Sequence, residues 1–144
     1  MFSGILRAMS GRITRLHPEG LHPTPGYHHV TVVEAGRLAY LAGQRPIDPE
    51  GHLVGADNVF AQSDQIARNV LVALAAVGAG PEHVVSAVIY VVSGDEGVLA
   101  HVVQHFRQSP IAAAFLSAAT LIGVTRLGYA GQLVEVDLTA ALPG

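Results

Sequence analysis

The chain has no cysteine and no lysine among its 144 residues. Without cysteine there is no thiolate nucleophile, no disulfide and no thiolate-ligated metal, and without lysine no side-chain Schiff base. Charge is also scarce: 13% of residues are charged, against a usual ~25%, and mean hydropathy is +0.41. A surface so thinly charged favours association, so other copies of the chain are expected to cover part of it. The basic residues are eight arginines, within a net charge of −3. That offers phosphates little, and a specific nucleic-acid partner is not expected. No apolar run approaches the ~20 residues of a membrane-spanning helix, so no membrane partner is expected either. The apolar stretch Phe2 to Leu6 is interrupted and too short for a signal-peptide core. A chain without cysteine is compatible with the cytosol, and a cytoplasmic location is the expectation.

What is present fits one domain. Residues 1–20 carry Arg7, Arg12 and Arg15 with no acid before Glu19. They are read as a loosely ordered tail, with Met9 as an alternative start and an organelle leader as the competing reading. Residues 21–144 form the domain. Strands are expected over 27–33 and 37–43, joined by a tight turn at Ala35-Gly36, and Asp48-Pro49-Glu50-Gly51 reads as a turn. A helix begins near Asp57, as N-cap, with Val59, Ser63, Ile66, Val70, Ala73, Leu74 and Val77 at helical spacing, and stops at Gly78 and Gly80. A strand follows over 84–92. Ser93 to Glu96 reads as a capping box opening a second helix to about Gln108. Its inner face is Val98, Leu99, Val102 and Phe106, and its outer face His101, Gln104, His105 and Gln108. Strands over 120–127 and 132–140, with a turn at 128–131, complete a β-β-α-β-α-β-β order. This is an α+β sheet with two helices on one face. The strand 84–92 is apolar on both faces, and the helices cover only one, which again calls for a partner subunit.

Several ordered segments carry a resemblance. They are Pro25-Gly26-Tyr27, Leu41-Ala42-Gly43-Gln44-x-Pro46-x-Asp48, and Gly51-x-Leu53-Val54. Ala61-Gln62-x-x-Gln65-x-x-x-Asn69 and Gly78-Ala79-Gly80-x-Glu82-x-Val84-Val85 follow, then Val124-x-Arg126-Leu127 and Leu133-Val134-Glu135-Val136. From about Pro25 to Ala140 the chain resembles the Rid (RidA/YjgF, endoribonuclease L-PSP-like) family. The resemblance implies a chorismate-mutase-like (YjgF-like) domain, a homotrimer around a central barrel, and small-molecule clefts between subunits. It also implies hydrolysis of enamines and imines to keto acids and ammonia. There an arginine holds the substrate carboxylate and a glutamate positions water.

Carried onto this chain, the resemblance places Glu135 as the catalytic group and Tyr27, Gly43, Thr120 and Leu121 in the cleft. It also marks two departures. The carboxylate-binding arginine is expected just before Thr120, where Ala119 stands, and an asparagine of the second helix aligns with Ala100. No arginine lies between Arg107 and Arg126. The expectation is therefore a trimer that binds a small metabolite without the typical 2-imino acid deaminase activity and without a cofactor. The alternatives are a deaminase anchored by another cation, such as Arg45 or a histidine, and a ribonuclease or translation-inhibitor role. Glu135, Tyr27 and Thr120 also fit ordinary strand or packing positions. His101 and His105, at i and i+4, have the spacing of two metal ligands, yet no third is marked, and an exposed helix face is the preferred reading. Of His28 and His29, strand alternation would send one toward the cleft.

Overall fold

A computed structural model describes residues 5–144, with side chains from Gly11 onward. The segment read as a loose tail is instead a hairpin of β1 (Ile5–Ser10) and β2 (Ile13–Pro18), turning at Gly11. β2 earns its place through its side chains. Ile13 and Leu16 are buried apolar residues, and buried Arg15 donates to Ser117 Oγ at 2.8 Å and the Glu82 carbonyl at 3.0 Å. Burial pushes the Arg15 guanidinium pKa down by desolvating its charge. β3 (Val30–Val33) pairs antiparallel with β2 and completes a three-stranded sheet.

β4 (Leu38–Tyr40) is not the hairpin partner of β3, contrary to expectation. It lies at the edge of a second sheet ordered β4-β7-β5-β6, with β5 (Val84–Val92), β6 (Ala118–Val124) and β7 (Val134–Ala141). Arg12 explains the parting at Ala35-Gly36. Its guanidinium donates to the carbonyls of Glu34, Arg37 and Leu142, so the turn folds around it. A Cβ on Gly36 would come within 2.6 Å of Arg12 Cζ. From β3 onward the element order is nevertheless β-β-α-β-α-β-β, with α1 (Val59–Ala75) and α2 (Glu96–Arg107).

The helix starts are each displaced from their expected caps. Asn58, not Asp57, caps α1, accepting from the Ala61 amide at 3.0 Å, while Asp57 takes a left-handed φ of 59°. Asp95, not Ser93, caps α2, accepting from the Gly97 amide at 2.7 Å. Ile66, Val70 and Leu74 of α1 and Val102 and Phe106 of α2 meet Ala87, Ile89 and Val91 of β5 in one core. α1 also fixes a loop. Buried Gln62 donates to the carbonyls of Gly55 (3.1 Å) and Gly131 (2.9 Å) and accepts from the Leu133 amide (2.7 Å). Asn69 holds the carbonyls of Arg45 and Ile47. The Gln62–Asn69 motif thus clamps the 44–55 loop and the entry to β7.

On the opposite face of the second sheet, Ser86, Val88 and Tyr90 lie beside Thr120, Ile122, Glu135 and Asp137, and no helix among the described residues covers them. Tyr40, on the edge strand, is 77% exposed. Among the described residues no helix is long and apolar enough to cross a membrane.

Candidate functional site

The β5–α2–β6 crossover makes β5 and β6 parallel, with Ala119, Thr120 and Leu121 opposite Ala87, Val88 and Ile89. β6 is an edge strand, and α2 only partly covers it. A cavity of about 340 Å³ opens between them. Its floor is Ile89 and Phe115, and one wall is Ala119, Thr120 and Leu121. The other wall is the stripe Ala100, Val103, Gln104 and Arg107 on α2, with Pro25 and Tyr27 at the entrance. These helix positions differ by three, four and seven, so they share a face, while Val102 and Phe106 turn into the core.

Five of the sequence-marked residues therefore meet here: Tyr27, Ala100, Ala119, Thr120 and Leu121. The same cavity takes in Gln104, expected on the outer helix face, and Arg107, which the sequence does not mark for the site. Helical periodicity from Ala100 would have pointed to both. A smaller hollow of about 220 Å³ shares Tyr27, Ala119 and Thr120 and adds His28 and His29. Both histidines reach it because β3 begins only at Val30, so strand alternation does not govern them.

Gly43 and Glu135 belong to a different cluster and line neither hollow. Glu135 lies on β7 opposite Tyr90, and its Oε1 accepts from Arg45 Nε at 3.2 Å and Gln132 Nε2 at 3.1 Å. Arg45 also lies over the Tyr129 ring, 5.5 Å from its centroid. Gly43 packs directly on the carboxylate: a Cβ there would stand 2.4 Å from Glu135 Oε2. Any larger residue at 43 must displace the glutamate. The arrangement holds Glu135 as an oriented acceptor at the helix-free face of the sheet.

Four histidines gather where β2 meets the 21–29 loop. His17 stacks on His28 with centroids 4.2 Å apart, and His29 lies edge-on to His22 at 4.7 Å. His28 Nδ1 meets the Leu116 carbonyl at 2.5 Å and His29 Nε2 the His22 carbonyl at 2.8 Å. His17 Nδ1 is buried without a partner. Desolvation and then the neighbouring His28 and His29 push the His17 pKa below its usual 6.5. The unfolded chain therefore binds a proton that the fold rejects, and this contribution to stability is present above pH ~6.5 and lost as pH falls through the lower, folded value. Thermal melts should show Tm declining from pH 7 downward, and His17→Phe should flatten that decline. An unchanged slope in the variant would remove His17 from this role. Elsewhere, His105 Nε2 pairs with Asp64 Oδ1 at 2.7 Å, joining α2 to α1.

Residues 19–142 match the family model described as endoribonuclease L-PSP. The chain is 30% identical over 127 residues to protein DfrA of Myxococcus xanthus, covering 85% of this chain and 88% of that protein. Among solved structures it is similar to YyfB of Yersinia pestis, a protein of unknown function of the conserved Rid family. The TM-score is 0.81 at 30% identity, covering 91% of this chain and 99% of that one. A YjgF-family protein from Mycobacterium tuberculosis superposes with a TM-score of 0.59 at 25% identity, over 81% and 86% of the two chains.

Proposed function

The chain belongs to the endoribonuclease L-PSP family, which includes the Rid and YjgF proteins, and we propose that within it the protein is a homotrimer binding a small metabolite without typical 2-imino acid deaminase activity. The observation that carries this reading is the cavity between α2 and β6. It gathers Tyr27, Ala100, Thr120 and Leu121 around Ala119, the position where the deaminase arginine is expected. A pocket of this size with mostly apolar walls and a few polar groups suits a small ligand. Ala119 gives that ligand no hydrogen-bond donor from its side chain. Turnover of 2-iminobutyrate is the direct test, and negligible hydrolysis is expected.

Assembly rests on separate observations. The helix-free sheet face carries Val88, Tyr90 and Ile122, and among the described residues β6 leaves one edge unpaired. The cavity and the Glu135 cluster share no lining residue, which supports a cleft completed by a neighbouring copy. Light scattering at micromolar concentration should give about 45 kDa, three times the 15.0 kDa chain. A mass near one chain would overturn the assembly.

The deaminase alternative with Arg45 as anchor is disfavoured because Arg45 is already committed to Glu135. The ribonuclease alternative gains nothing from a chain of net charge −3. A cytoplasmic location remains part of the proposal.

A further inference from the structure

The arginines whose side chains make hydrogen bonds are occupied by the fold. Arg12 grips three carbonyls, Arg15 is buried against Ser117 and Glu82, Arg45 pairs with Glu135, and Arg68 donates to Gln65. Arg107 differs. It is half-buried at the last turn of α2, lines the cavity, and makes no side-chain hydrogen bond or ion pair among the described residues. Its guanidinium lies flat against the backbone of Gly26, where a Cβ would stand 3.1 Å from Cζ and 3.2 Å from Nε and Nη2. Gly26 has a φ of 154°, a conformation other residues rarely adopt. The loop therefore shelves the guanidinium at the cavity entrance beside Tyr27.

We infer that Arg107 is the anion-recognition group of this cavity and that its ligand is a monocarboxylate with an apolar body. The inference rests on the cavity being the ligand site, and it adds the ligand's chemical class and the residue that reads it. Three features set that class. Among the described residues of one chain, Arg107 is the one cationic side chain in the lining, and that chain contributes no aspartate or glutamate to it. A single guanidinium, with Gln104 and Tyr27 as neutral hydrogen-bonding groups, matches one negative charge; a dianionic phosphate would leave charge uncompensated. Ile89, Val103, Phe115 and Leu121 then enclose apolar substance, and about 340 Å³ is near the lower end of small-molecule pockets, ~300–1,000 Å³. A carboxylate on Arg107 is held from the α2 side, away from position 119. Anion recognition has thus moved from the strand to the helix, and the ligand is oriented differently from a substrate gripped next to Thr120.

Two probes of nearly equal shape test this: phenylacetate and its uncharged counterpart phenethyl alcohol, titrated calorimetrically into the full-length protein at pH 7.5. Wild type should bind phenylacetate at least about tenfold more tightly than the alcohol, as a charge-assisted contact of ~1.5–3 kcal/mol implies. Arg107→Gln should erase that preference, the two probes then binding within about threefold of each other. Gly26→Ala keeps the arginine but pushes its guanidinium aside, and should reduce the preference in the same direction. If wild type binds both probes equally, or Arg107→Gln keeps the preference, the role of Arg107 is overturned while the cavity stands. If wild type binds neither probe, the cavity fails as the ligand site, and the inference fails with it.

Discussion

Hydrolysis of 2-iminobutyrate or 2-aminoacrylate by the wild-type protein should be at least about a hundredfold slower, in kcat/KM, than by a family member bearing the strand arginine. A small imino acid presents little to hold besides its carboxylate. An arginine beside Thr120 would grip that group through paired, charge-assisted hydrogen bonds of ~1.5–3 kcal/mol each. Ala119 forms none, and Ala100 and Leu121 make the surrounding wall apolar. Losing about 3 kcal/mol of transition-state binding corresponds to a rate loss of more than about a hundredfold. Arg107 does not restore it, because its guanidinium enters from the last turn of α2 against Gly26 rather than from β6. Rates within about tenfold of the arginine-bearing enzyme, a gap of ~1.4 kcal/mol, would contradict this and return Arg45, His28 and His29 to consideration.

Gln62→Leu should be the most damaging single substitution in the loop clamp, lowering stability by about 3 kcal/mol. Gln62 is fully buried and uses both ends of its amide, donating to Gly55 and Gly131 and accepting from Leu133. Leucine fills a similar volume, so the packing loss is small. The cost is two carbonyls and one amide stripped of their partner in a dry setting, each worth ~1–3 kcal/mol and not fully additive. In a domain of this size that corresponds to a Tm about 6–12 °C lower. Because the clamp fixes the start of β7, the Arg45–Glu135 contact should loosen too. A loss below about 1 kcal/mol in chemical denaturation would show that water or neighbouring groups replace the amide.

The hydrophobic periodicity of α1 and the β-branched run of β5 were legible because each has a strong local signal. Ile66, Val70 and Leu74 fall on one helix face, and Ala87, Ile89 and Val91 on one strand face. Elements fixed by remote partners were not. β2 reads as polar and basic, yet Arg15 is buried because Ser117 and Glu82 lie across the fold to receive it. Nothing local to Ala35-Gly36 shows that Arg12 will occupy the turn and send β3 and β4 to different sheets. The helix caps moved by one or two residues because Asn58 and Asp95 compete with equally good neighbours, and the chain path decides between them.

The candidate site was legible in the same uneven way. Tyr27, Ala100, Ala119, Thr120 and Leu121 line one cavity, whereas Gly43 and Glu135 lie in a separate cluster of the same chain. Arg107 is not marked by the sequence for a geometric reason. It lies far from Ala119 along the chain, while the helix that approaches Ala119 in space carries Ala100, Gln104 and Arg107 on one stripe.

Methyl NMR of protein labelled at alanine, titrated with phenylacetate, tests the location of the ligand site most directly. Ala100 and Ala119 flank the cavity from α2 and β6, while Ala61 and Ala75 sit on α1 outside it. The account predicts saturable shifts of the Ala100 and Ala119 methyl signals with those of Ala61 and Ala75 unmoved. Saturable binding that leaves Ala100 and Ala119 unshifted would place the ligand elsewhere and contradict it.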